Sequence, residues 1–162
     1  MLYTLLLSMH TSPVEPIDFC LRLLVALGLG AAIGLERQLR NHEAGLKTNA
    51  LVAAGSAIFV MMACTFGEPD RIVAQIVSGI GFLGAGMILR DGVHVRGLNT
   101  AATLWCAAAI GALAGAGNRT TASCAAAAVV IANILLREVA ERIDAHHASV
   151  AREGGSTTGK GQ

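Results

Sequence analysis

The sequence predicts an all-α, polytopic helical membrane bundle of about five transmembrane helices. Three observations predict it. Of 162 residues, 54% are hydrophobic and only 14% are charged, against about 25% charged in an ordinary soluble domain. Apolar segments recur along the chain with polar breaks between them. Four of the five segments contain no charged residue, so a helix built from any of them has no strongly polar face to show water. An ordinary cytosolic enzyme and a disordered chain are both poor fits to this composition.

The first segment runs from about Ile17 to Leu35 and carries Asp18 and Arg22 near its start. Pro13 and Pro16 lie just ahead of it, where proline suits a helix start. The second runs from about Ala50 to Phe66, and the third from Ile72 to Leu89. The fourth runs from Ala101 to Gly117, and the fifth from Ala122 to Leu136. The four uncharged segments, at roughly 15–19 residues and about 1.5 Å per residue, reach roughly 22–28 Å. That is the short side of a bilayer span, and flanking polar residues can cover the mismatch.

Residues 1–16 read as an exposed N-terminal tail. Their leucine run lacks the basic start and small-residue cleavage site of a signal peptide. Residues 17–137 form the expected transmembrane domain. Residues 138–162 are expected to extend the fifth helix into water and then, from Arg152, to form a disordered Gly/Ser/Thr-rich tail. Lysine and arginine in short loops set orientation. Nine lie on one side: Arg37, Arg40, Lys47, Arg90, Arg96, Arg137, Arg142, Arg152 and Lys160. Three lie on the other: Arg22, Arg71 and Arg119. This places the C-terminus in the cytoplasm and, with an odd number of spans, the N-terminus outside.

The formal net charge of +1 gives no case for a nucleic-acid partner. Cys20, Cys64, Cys106 and Cys124 are widely spaced in apolar stretches and read as small packing residues. His10, His42, His94, His146 and His147 lie in loops or tails without zinc-type spacing. No catalytic constellation, metal site or cofactor is expected.

Residues 29–31 (LGA) recur at 83–85, an offset of 54, and residues 45–50 (GLKTNA) resemble 97–102 (GLNTAA), an offset of 52. Two helical hairpins in parallel arrangement, followed by a fifth helix, would produce this pattern. Gly79, Gly81 and Gly84 match the spacing of a dinucleotide fingerprint, but they lie inside an apolar segment without the required strand or acidic residue. They read better, together with Gly86, as a surface for close helix packing. Gly30 with Gly34, and Gly111 with Gly115, offer the same chance to the first and fourth segments.

Residues 71–86 (RIVAQIVSGIGFLGAG) and 95–105 (VRGLNTAATLW), with 34–37 (GLER) and 45–49 (GLKTN) upstream, closely resemble the MgtC/SapB family of bacterial inner-membrane proteins. The resemblance covers roughly residues 20–137. It implies a multi-span domain in the inner membrane, tied in many members to growth at low magnesium and to survival inside host cells. The family is not established as a magnesium transporter. Some members are thought to modulate other membrane proteins, including the proton-translocating ATP synthase. The implied partners are therefore the lipid bilayer and another membrane protein, with the ATP synthase one candidate and a homo-oligomer another. Many members also carry a soluble ACT-like C-terminal domain, and this chain is expected to be a short member without it. Lys47 stands where many members have arginine.

Polar groups in or near a membrane are costly and are the natural functional candidates. On the outer side these are Asp70, Arg71 and Gln75, with Arg22 pairing to Asp18 or Asp70. Gln75 is expected to be a buried amide needing partners. On the inner side they are Glu36, Arg37, Lys47, Asn49, Asn99 and Thr100. Asn99 or Thr100 is a candidate N-cap for the fourth helix, and Thr48 or Asn49 for the second. Trp105 is either a packing residue or a gate. Two functions compete: a regulator acting through another membrane protein, and a transporter or channel for a cation such as Mg²⁺. The second needs oxygen ligands near the midplane, where the segments supply no Asp or Glu.

Overall fold

The computed structural model describes residues 14–40, 44–91 and 93–156. Among these residues are five helices and one small hairpin of strands: α1 (Pro16–Leu39), α2 (Leu46–Phe66), α3 (Pro69–Met87), β1 (Leu89–Asp91), β2 (His94–Arg96), α4 (Leu98–Gly115) and α5 (Arg119–Ser156). The expected all-α class holds. Four helices are long and apolar enough to cross a membrane: α1, α2, α4 and the Arg119–Ile143 part of α5. Five were expected. The 19-residue α3 is not among the four, because Asp70, Arg71 and Gln75 occupy its first two turns and lower its apolar average.

The helix ends follow from local chemistry. Pro16 begins α1, where its missing N–H costs nothing. The α2–α3 connection is only two residues long. Gly67 adopts φ +75, and the Glu68 N–H donates to the Ala63 carbonyl at 3.1 Å, closing the end of α2. The caps expected from polar side chains are not used. Gly45 and Gly97 precede α2 and α4, and neither helix has a side-chain cap hydrogen bond. Thr48, Asn49, Asn99 and Thr100 therefore sit inside their helices.

The strands were not expected. They pair antiparallel, Leu89 with Arg96, Arg90 with Val95 and Asp91 with His94.

The chain divides into two compact units, residues 1–129 and 130–162. In the first unit, α2 and α4 pack against each other at the centre, and each buries nine residues. Alanine dominates the shared core, including Ala53, Ala57, Ala107 and Ala114. Small residues let backbones approach closely, and that packing drives helix association in lipid. The helix α1 packs on both α2 and α4, while α3 packs on α4 and more thinly on α2. Among the described residues the second unit is the remainder of α5. This helix continues to Ser156, through residues 152–156 that were expected to be disordered. Ala148, Ala151, Arg152 and Glu153 are good helix formers, and an established helix propagates through them. The expected tails at 1–13 and 157–162 lie outside the described residues.

The two hairpins make equivalent close approaches. A Cβ added at Gly30 would stand 2.6 Å from the Asn49 carbonyl oxygen. At Gly84, 54 residues on, the neighbour is Ala101, which is 52 residues on from Asn49, at 3.6 Å. Gly34 likewise meets Gly45, and Gly97 meets Ile88. Those pairs correspond under the same two offsets.

Candidate functional site: a buried polar layer across three helices

The end of α1 and the starts of α2 and α4 meet in a layer of buried polar side chains. Arg37 closes the buried face of α1, which also presents Ala26, Gly30, Ile33 and Gly34. It is only 2% exposed. Its Nη2 donates to Thr100 Oγ1 at 2.8 Å, a bond between α1 and α4. Thr100 is itself buried, one turn into α4, and Thr103 on the next turn donates to the Asn99 carbonyl at 2.9 Å. Arg37 Nε has no hydrogen-bond partner among the described residues.

Glu36 points differently. Its Oε1 pairs with Arg40 Nε at 2.8 Å, while Oε2 is buried and has no hydrogen-bond partner among the described residues. Asn49, fully buried, donates through Nδ2 to the carbonyls of Ala44 at 2.9 Å and Gly45 at 3.0 Å. Its Oδ1 has no partner among the described residues. Asn49, an inner-side polar candidate and a candidate cap from sequence, anchors the α1–α2 turn from inside. Gln38 adds to that turn by accepting the Leu46 N–H at 3.1 Å. The signal for Asn49 was available: a polar residue at the mouth of an apolar run, in the repeated GLKTN and GLNTA segments.

Buried polar groups must find partners or remain costly. Here a guanidinium, a carboxylate and an amide each keep one buried atom without a hydrogen-bond partner among the described residues. The Arg37–Thr100 bond joins α1 to α4, and the Asn49 bonds hold the turn that leads into α2. No group of three or more His, Cys, Asp or Glu that could hold a metal occurs among the described residues.

The outer candidates are not brought together. Arg22 binds Asp18 one turn back, with Nη2 to Oδ2 at 2.6 Å, and its Nη1 donates to the Gly115 carbonyl at 2.9 Å. It thus clamps α1 onto the C-terminal end of α4, where a cation is favoured, and does not reach Asp70. Asp18 also accepts Arg119 Nη2 at 3.4 Å. Arg71 pairs with Glu68 in an exposed bridge. Asp70 is exposed in the first turn of α3. Gln75 was expected to be buried and is exposed. Asn99 is exposed, and Trp105 on α4 is 51% exposed.

The glycines divide. Gly30, Gly34, Gly111 and Gly115 lie against neighbouring backbone: Gly115 would place a Cβ 2.5 Å from the Ala57 carbonyl oxygen, and Gly34 one 2.5 Å from Leu46 Cα. Gly84 makes ordinary contact with Ala101. Gly79, Gly81 and Gly86 have nothing within 4 Å of an added Cβ. Close packing at these three is not found within the protomer, since α3 buries only Ile80 and Gly84.

Comparison with known proteins agrees with the motifs. Protein MgtC of Salmonella typhimurium is 59% identical over 128 residues, 78% of this chain and 55% of its own length. Protein MgtC of Brucella abortus is 52% identical over 119 residues, 72% of this chain and 50% of its own. The chain thus spans about half the length of the curated relatives it matches. No solved structure matches. The family model described as MgtC family matches residues 23–142, and with relatives of this identity across the same helices the chain belongs to the MgtC family.

Proposed function

We propose that this chain acts in magnesium, ion or energy homeostasis of a bacterial inner membrane, supports growth at low magnesium, and works by binding another membrane protein. One observation carries the partner-based reading. Of the four helices α1 to α4, α3 is the least buried: two of its nineteen residues are buried, against five in α1 and nine each in α2 and α4. Its exposed Ala74, Ser78, Gly81 and Ala85 share one helix face. Small residues at such spacing suit helix association in lipid, where packing rather than hydrophobicity is the drive. The buried polar groups support the same reading, because Arg37 and Arg22 tie helices together instead of lining a path. The ATP synthase is one candidate partner by family, and a second copy of the chain is another.

The test pairs two measurements. The purified chain in proteoliposomes is expected to carry no Mg²⁺ flux, while a deletion strain expressing it regains growth at low magnesium. Gly81→Leu is expected to keep membrane levels and lose the growth phenotype. Saturable Mg²⁺ flux in the liposomes would overturn the regulator in favour of a transporter.

A further inference from the structure

Between α2 and α3 runs an apolar groove of about 920 Å³. Leu51 and Phe59 line it from α2, and Gln75, Gly79 and Leu83 from α3. Lys47 stands at its end, on the first turn of α2. The pseudo-repeat explains why the groove is open. Its counterpart is the contact between α1 and α4, which two arginines close: Arg37 onto Thr100, and Arg22 onto the Gly115 carbonyl. The offset of 54 puts Ile76 where Arg22 would be, and the offset of 52 puts Thr48 where Thr100 would be. Both Ile76 and Thr48 line the groove. The second hairpin thus has an isoleucine where the first has Arg22, and the groove between α2 and α3 is open.

We infer that this groove is a binding site for an anionic phospholipid, with an acyl chain along the α2–α3 wall and the phosphate at Lys47. The walls suit a hydrocarbon chain, and the glycine at position 79 widens the channel. Lys47 is exposed and takes part in no ion pair among the described residues. Its aliphatic stem can lie along the apolar wall while the ammonium reaches the interface. The helix N-terminus beside it favours an anion as well. A transmembrane helix as occupant would leave the lysine charge unanswered unless it brought an acid to that depth. An anionic lipid answers the charge and the apolar channel together. This site lies on a different face of α3 from Gly81, and it does not depend on the regulatory function above.

Trp105 is the single tryptophan of the chain, so an indole reporter can be placed in the groove by Phe59→Trp on a Trp105→Phe background. The protein is reconstituted in bilayers containing brominated phosphatidylglycerol or brominated phosphatidylcholine, and quenching is compared. The expected result is stronger association of the anionic lipid by about fivefold, the ratio corresponding to roughly 1 kcal/mol per lysine near a membrane surface. Lys47→Ala should bring the ratio to about one while both lipids still quench. Gly79→Leu should lower quenching by both lipids, because the leucine fills the channel. Equal quenching in the parent, or a preference that survives Lys47→Ala, would overturn the site. Absence of quenching by either lipid would overturn it too. Disulfide-linked dimers from Gly79→Cys would then identify a second copy as the occupant, and their absence a different helix.

Discussion

Arg37 Nη2 donates to Thr100 Oγ1 at 2.8 Å across 63 residues of sequence, inside the protein, with the arginine 2% exposed. The bond gives one hydroxyl the task of meeting a buried cation, which sets an order of mutational effects. Thr100→Val removes the acceptor and strands the guanidinium, at an expected cost of about 1–3 kcal/mol. Arg37→Met in the same background removes the stranded charge. The double variant is therefore expected to unfold at a higher denaturant concentration than Thr100→Val alone. Unfolding in mixed micelles checks the order, and additive losses would mean that the two side chains do not act as a pair.

The glycines give a second contrast. Gly30→Ala would put a Cβ 2.6 Å from the Asn49 carbonyl oxygen, and backbone cannot move aside as a flexible side chain would. The expected loss is on the order of 1–3 kcal/mol, with reduced membrane levels. Gly79→Ala meets open space within the protomer and should change stability by less than about 0.5 kcal/mol. Thermal unfolding of the two purified variants makes the comparison. A loss at Gly79 equal to that at Gly30 would place another chain against α3.

Asp70 is exposed in the first turn of α3, and Arg22 is engaged elsewhere. Its charge favours the helix N-terminus by about 0.3–1 kcal/mol. Asp70→Asn is therefore expected to reach normal membrane levels. Growth in low magnesium then separates two roles. Wild-type growth removes Asp70 from the functional residues, whereas failure at normal expression makes its charge a working part of the outer surface.

What the sequence made legible was set by whether the signal was local. The apolar segments and the proline at the start of α1 are local, and the helices stand where these features point. The repeat was visible as two short similarities, and its geometric meaning appears only in the paired approaches of Gly30 to Asn49 and Gly84 to Ala101. The polar layer was half legible. Glu36, Arg37 and Thr100 could be picked out as costly groups, but the bond between Arg37 and Thr100 depends on how α1 crosses α4. Gln75 was misjudged for the same reason: a place in an apolar run does not say which face of α3 is covered. Gln75 and Gly79 face the groove between α2 and α3, whereas Gly81 and Gly86 do not line it.

The orientation of the chain turns on α3. With five crossings, Arg96 and the C-terminus share the cytoplasmic side, and Asn118 lies outside. At 19 residues α3 extends for about 28 Å at roughly 1.5 Å per residue, which is enough to cross with its polar first turn at the surface. The distribution of lysine and arginine, nine against three, favours this arrangement. If α3 lies in the interface, the Glu68 turn and Arg96 fall on the same side instead. Single cysteines at Glu68, Arg96 and Asn118, in a chain whose four native cysteines are replaced by alanine, decide between the two. Five crossings predict that a membrane-impermeant maleimide added to intact cells labels Glu68→Cys and Asn118→Cys but not Arg96→Cys. Labelling of Arg96→Cys from outside together with Glu68→Cys would show that α3 does not cross.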